Sequence, residues 1–302
     1  MTLFETAMEE AKDPRVACSL HDALSSLGEE NNPTARLVNF GGQGLIFKLR
    51  SERFDSPLLI KIPFYSRHPS AEIAEHGILK EARIAEAITG SGLDLSPRLI
   101  AYDGGGRYLI REFASGEELS QVLDRSAEAE RDALLVREYD LVRKLFPLFH
   151  ENRREPYTIR DLKPKNIICT SECKLYIIDC GSCRPEAQMV SKDREKALRR
   201  FGSGKYLHWP IEQLTEDAAV LDRRVDYFAW GVMAYYTLFL ERPYANDLPD
   251  VERAKKAYAE RYAAARERLE DACRQGRLSA GLKDNIAASL QPDPRKRSFP
   301  EN

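Results

Sequence analysis

Near Gly116 the chain changes texture. Up to Phe113 it is built from short apolar runs, 37–40, 45–49, 58–62, 98–102 and 108–113, parted by glycines and by the polar turn 51–56. Runs of this length bounded by turn residues predict strands, and Gly104-Gly105-Gly106 suits a tight hairpin between the last two. The one interruption is 70–89, where Ile73, Ile78, Ala82, Ile84, Ala85 and Ile88 fall at helical spacing. Beyond Gly116 the pattern predicts helices over 119–123, 133–150, 227–240 and 251–275, interrupted by two short strands, 167–169 and 175–178, around a turn at 170–174. Strands first and helices afterwards predict an α+β chain. Residues 1–32 read as a helical lead-in, broken at Asp13-Pro14 and ended by the polar stretch 28–32.

Length and charge narrow the function classes. At 302 residues the chain is long enough for two domains, or for one domain with two lobes, without disulfide or metal staples. Forty-six basic residues against 48 acidic ones leave a net charge of −2, which argues against a nucleic-acid coat or a polybasic membrane anchor. The longest uncharged apolar-rich run, 227–240, is 14 residues, too short to span a bilayer. Glu5, Glu9 and Glu10 leave no room for a signal peptide, so a cytoplasmic location is expected, although an effector exported without a removable signal has the same appearance. Four of the six cysteines cluster as Cys169-x3-Cys173 and Cys180-x2-Cys183, a spacing that admits zinc. The strand-like run between the pairs favours reduced thiols instead.

The chemistry concentrates in 157–181. Asp161, Lys163, Asn166 and Asp179 fall on loops at the ends of short strands, where polar side chains converge without disturbing a core. An Asp and an Asn five residues apart, with a second Asp behind a hairpin, supply one base and oxygen ligands for a hard cation. Mg²⁺ takes few protein oxygens and fills its shell with water and phosphate, so the set suits phosphoryl transfer.

At this point the sequence resembles the protein kinase superfamily, from about Arg36 to Ser298, through the order of its motifs. The run Ile159-Arg160-Asp161-Leu162-Lys163-Pro164-Lys165-Asn166 is similar to the catalytic loop, and Asp179-Cys180-Gly181 to the metal-binding triplet. The resemblance implies a bilobal kinase-like fold, with a small β-rich N-lobe over 33–113 and a larger helical C-lobe over 114–302. It implies ATP and Mg²⁺, with Asp161 taking the proton of the attacking hydroxyl, Lys163 neutralising the transferred group, and Asn166 and Asp179 holding the metal. Lys61, in Leu59-Ile60-Lys61-Ile62, matches the lysine that contacts the nucleotide phosphates, with Glu81 as its partner and Glu75 as the alternative. Gly42 and Gly44 stand where a phosphate-covering loop belongs, although its third glycine is missing and a plain hairpin turn reads equally well. Glu112 and Ala114 match the hinge whose backbone meets adenine, and Arg111 places a charge at the position before it.

Further along, Ser203, Glu212, Asp226 and Arg297 match the end of an activation segment and its structural anchors, with one extra residue between Pro210 and Glu212. Ile159 and Cys180 replace the usual His and Phe, and both are apolar enough to pack. Ser191, beside Lys192 and Arg194, is a candidate phosphosite, and the basic stretch Lys192 to Arg200 either repels or recruits a partner. The resemblance points to a serine/threonine kinase acting on a protein. A kinase for a small molecule or sugar, and a pseudokinase scaffold, are the alternatives. The apparent activation segment argues against the first and the complete charged set against the second.

Overall fold

Five strands, β1 (Arg36–Phe40), β2 (Gly44–Leu49), β3 (Leu58–Pro63), β4 (Leu99–Tyr102) and β5 (Leu109–Glu112), form an antiparallel sheet in the order β1-β2-β3-β5-β4. They belong to a computed structural model that describes residues 11–29, 35–40, 44–151, 156–186, 210, 212–213, 221–244 and 251–299. The central strand β3 is buried along its whole length, which is why its sequence is a continuous apolar run rather than an alternation. Helix α1 (Pro14–Leu27) and helix α2 (Ala71–Gly90) both pack on it. Leu58, Ile60 and Ile62 share one core cluster with Val16, Ala23 and Leu24 of α1. Alternation along the strand turns Leu59 and Lys61 to the other face, together with Leu109, which packs on Ile78 and Ala82 of α2.

Asp13-Pro14 starts helix α1. The Asp13 carboxylate accepts the Arg15 N–H at 2.8 Å, and proline takes a first-turn position where no N–H is needed. Helix α2 starts from Ser70, whose hydroxyl accepts the Ile73 N–H at 3.4 Å.

The chain divides into two compact units, Met1–Ser115 with Tyr176–Gly181, and Gly116–Leu175 with Ser182–Asn302. The second unit is mostly helical. It contains β6 (Glu117–Glu118), α3 (Leu119–Arg125), α4 (Glu128–His150), β7 (Tyr157–Thr158), β8 (Ile167–Cys169), β10 (Arg184–Pro185), α5 (Arg224–Phe239), α6 (Val251–Arg274) and α7 (Ala280–Ser289). Strand β9 (Leu175–Ile177) follows the 170–174 turn, which Thr170 closes by donating its N–H to the Lys174 carbonyl at 2.9 Å. Helix α5 is buried on nearly every side, packs against α4 and α7, and carries Trp230 and Phe228 with no exposed surface. Among the described residues no helix is long and apolar enough to cross a membrane. All six cysteines are free thiols, with Cys169, Cys180 and Cys183 buried.

Candidate active site

The first unit assembles a cluster of charges on the α2 side of its sheet. Lys61 is 5% exposed, and its Nζ lies 2.5 Å from Glu81 Oε2 and 4.0 Å from Asp179 Oδ1. Glu81 reaches it because α2 presents Ala74, Ile78, Glu81, Ala82, Ala85 and Ile88 on one buried stripe. Glu75, the alternative partner, instead accepts the Tyr65 hydroxyl at 3.2 Å. Burial disfavours the Lys61 ammonium, but the charges of Glu81 and then Asp179 outweigh it and hold the pKa above the ordinary lysine value. Gly44 faces the same lysine: a Cβ there would lie 2.7 Å from the Ile62 carbonyl and 3.0 Å from Lys61 Cγ. Whatever else Gly44 does, only glycine lets β2 run this close over β3. Gly42, its partner in the expected phosphate loop, lies outside the described residues.

Asp179 is 41% exposed and accepts the Gly181 N–H at 3.0 Å, so its carboxylate is both oriented and accessible. Cys180 beside it is buried, as the sequence requires of a packing residue. At the other end of the sheet, Glu112 pairs with Arg98 at 2.7 Å and donates its N–H to the Arg98 carbonyl at 2.9 Å. Its own N–H is therefore spent inside the sheet, whereas the Ala114 backbone makes no hydrogen bond among the described residues. Arg111 is buried on the Lys61 face.

The second unit assembles the other cluster on the loop after β7. Arg160 adopts φ 67°, a left-handed conformation costing roughly 1–2 kcal/mol for a residue with a side chain. Its peptide is clamped from both sides. Asp226, in the first turn of α5, accepts the N–H groups of Ile159 and Arg160, each at 2.8 Å, and Gln213 donates its side-chain N–H to the Arg160 carbonyl at 2.8 Å. The Asp226 carboxylate also lies 2.9 Å from His150 Nε2 at the end of α4. All four of these side chains are buried, and so is Ile159.

The clamp delivers Asp161 to the loop surface. Lys163 Nζ lies 2.7 Å from Asp161 Oδ2, and Asn166 donates its amide to the Asp161 carbonyl at 2.8 Å and to Oδ2 at 3.0 Å. With its NH₂ committed to Asp161, Asn166 has its amide oxygen left as an acceptor, the donor type that Mg²⁺ prefers. Asp179 supplies a carboxylate of the same hard-oxygen kind. Among the described residues no group of three or more His, Cys, Asp or Glu side chains could hold a metal alone. The Asn166 amide oxygen and the Asp179 carboxylate are each a hard-oxygen donor of the kind Mg²⁺ takes when water and phosphate supply the rest of its shell.

Two anchors expected from the sequence meet as well. Arg297 forms a buried ion pair with Glu212, its Nη2 lying 3.4 Å from Oε2, and its guanidinium sits 4.4 Å above the Phe228 ring. Ser191, Ser203 and the basic stretch 192–200 lie outside the described residues. Sequence reasoning missed His150 and Gln213. Both act on backbone or carboxylate partners distant in the chain, and a lone polar residue carries no local sign of that.

A profile described as "Protein kinase domain" matches residues 40–302. The chain is 28% identical over 225 residues to the tyrosine-protein kinase MasK of Myxococcus xanthus (strain DK1622), covering 69% of this chain and 33% of that one. It is 23% identical over 286 residues to the serine/threonine-protein kinase PknD of Mycobacterium tuberculosis (strain ATCC 25618 / H37Rv), covering 92% of this chain and 39% of that one. The chain therefore spans between 33% and 39% of the length of these curated relatives.

Proposed function

This chain belongs to the protein kinase family, and on that premise we propose that it transfers the γ-phosphoryl group of MgATP to serine or threonine hydroxyls of a protein. In this reading Lys61, kept charged and aimed by Glu81, binds the nucleotide phosphates, with Gly42 and Gly44 allowing the backbone to approach them. The backbone at Glu112 and Ala114 meets the adenine, the Glu112 carbonyl rather than its N–H being the group on offer. Asn166 and Asp179 hold Mg²⁺, which when bound neutralises charge on the phosphate oxygens. Asp161 accepts the proton of the attacking hydroxyl, and Lys163 beside it offsets charge on the transferred group. Residues 33–113 form the nucleotide-binding lobe and 114–302 the lobe that receives the acceptor protein.

The observation that carries this reading is the Lys61 to Glu81 ion pair, buried, 2.5 Å long, with Asp179 at 4.0 Å. A buried charge set of this kind is costly to maintain unless it is used. What supports serine or threonine over tyrosine is Lys163, two residues after Asp161 and bonded to its carboxylate. The two relatives divide on this point by name, so the test is direct. Incubation with γ-labelled MgATP and a generic basic protein, followed by acid hydrolysis, is expected to yield phosphoserine or phosphothreonine. Phosphotyrosine as the main product contradicts the serine/threonine assignment.

A further inference from the structure

Helix α1 buries an apolar face on the sheet, but it also carries a polar stripe. Arg15, Ser19 and Asp22 follow one another at spacings of four and three, which sets them on one side of the helix. Each has a partner outside α1. The Arg15 guanidinium lies 4.5 Å from the centre of the Tyr65 ring, the Ser19 hydroxyl lies 3.5 Å from the Tyr65 hydroxyl, and Asp22 accepts Arg107 Nη1 at 2.5 Å. Tyr65 opens the short turn Tyr65–Arg67 between β3 and α2, and both Tyr65 and Ser19 are buried.

These contacts converge on one turn of α2. The Tyr65 hydroxyl lies 3.2 Å from Glu75 Oε1. A carboxylate only accepts, so the phenol gives its hydrogen to Glu75 and takes that of Ser19. Burial pushes the Tyr65 hydroxyl above the ordinary phenol pKa, and the Glu75 charge reinforces this against the opposing Ser19 contact, so the donor keeps its proton. Arg107, held by Asp22 and by Asp103 at 3.0 Å, follows Gly106, on which a Cβ would lie 2.1 Å from the Glu75 carbonyl oxygen. A helix that only covers apolar surface needs no buried pair of hydroxyls, because an apolar pair of the same shape serves as well. What the relay adds is direction, since it fixes α2 about its own axis. Glu81 lies six residues beyond Glu75, about 9 Å along the helix. Its carboxylate stands about 5 Å from the axis, so a rotation of about 25° carries it roughly 2 Å and breaks its 2.5 Å pair with Lys61.

We propose that Tyr65 is a positioning residue for phosphoryl transfer, its hydroxyl coupling Ser19 of α1 to Glu75 of α2 and so holding Glu81 against Lys61. This role rests on the reading that Lys61 binds the phosphates of MgATP. Without the relay α2 also populates rotated positions, and the apparent affinity for MgATP falls with the fraction still in register. Saturating nucleotide, bound through Lys61, selects the register again, so the maximal rate is kept.

The experiment measures steady-state transfer from γ-labelled MgATP to a generic basic protein by the full chain, at a temperature well below the Tm of every variant. The set is wild type, Tyr65→Phe, Glu75→Ala, Glu75→Gln and Tyr65→Phe/Glu75→Ala. Tyr65→Phe is expected to raise KM for MgATP about fivefold, within the scale of one hydrogen bond to a charged group, with kcat within about twofold of wild type. Glu75→Ala is expected to match it, and Glu75→Gln, which keeps an acceptor for the phenol, to lose less. The double variant is expected to lose no more than either single one, since both act through the same bond. A merely structural loss instead lowers kcat with the folded fraction and leaves KM in place. Unchanged KM in Tyr65→Phe, a fall in kcat without a rise in KM, or KM increases that multiply in the double variant overturn the proposal while wild-type transfer stands. Absence of transfer by the wild type overturns the kinase reading and this one with it.

Discussion

Glu138 shows what single residues contribute outside the site. It sits inside the contact between α4 and α5, and accepts the Thr237 hydroxyl at 2.6 Å. Burial raises its pKa to about 8, against an opposing contribution from that hydrogen bond. Because the folded-state value lies above the 4.5 of an ordinary glutamate, the stabilisation from the neutral carboxyl is complete below pH 4.5 and is lost as pH climbs towards 8. Glu138→Gln keeps an acceptor for Thr237 but cannot ionise. Thermal unfolding across this range is expected to show wild-type Tm falling by several degrees relative to the variant, which becomes the more stable at alkaline pH. Parallel curves contradict the assignment. Residues of this kind were not legible in the sequence, where Glu138 is one acid among many on a charged helix. Lys61 was legible, because a lysine inside an apolar strand run stands out against its neighbours, and so was Glu81 on the buried stripe of the following helix. The contacts of His150 and Gln213 depend on which distant segments meet, and local patterns do not encode that.

At the scale of elements, the sheet was legible because its strands are short apolar runs with glycine or polar punctuation. The hairpin at Gly104-Gly105-Gly106 illustrates how much such punctuation contains. Gly106 donates to the Asp103 carbonyl at 2.9 Å, has φ +86°, and leaves only 2.1 Å between a notional Cβ and the carbonyl oxygen of Glu75 in α2. The glycine serves the turn and also the close approach of the hairpin to the helix that carries Glu81. Gly106→Ala is expected to cost about 2–3 kcal/mol in chemical denaturation, from backbone strain together with the forced displacement of α2. A loss below about 0.5 kcal/mol, the level of an ordinary surface change, contradicts this packing. Other elements escaped the sequence reading. Helix α7 was missed because its few apolar residues lie in a small polar context that gives little helical contrast. Strands β6, β7 and β10 are two residues each, too short for any periodicity. Asp13-Pro14 makes a good cap and first residue for the helix that follows it.

For the molecule as a whole, the order of motifs was more legible than any single motif, because a chain that folds as a kinase must space its nucleotide lysine, base and metal ligands through fixed intervening elements. A strand-rich unit and a helix-rich unit follow from that spacing, and the "Protein kinase domain" match over 40–302 agrees with it. The most direct test compares phosphoryl transfer from γ-labelled MgATP to a generic basic protein by wild type and by Asp161→Ala, both checked for equal Tm. The account predicts that the wild type transfers label and that the variant is slower by at least about 10²-fold, the lower scale of losing a general base. Transfer by Asp161→Ala at the wild-type rate would contradict it.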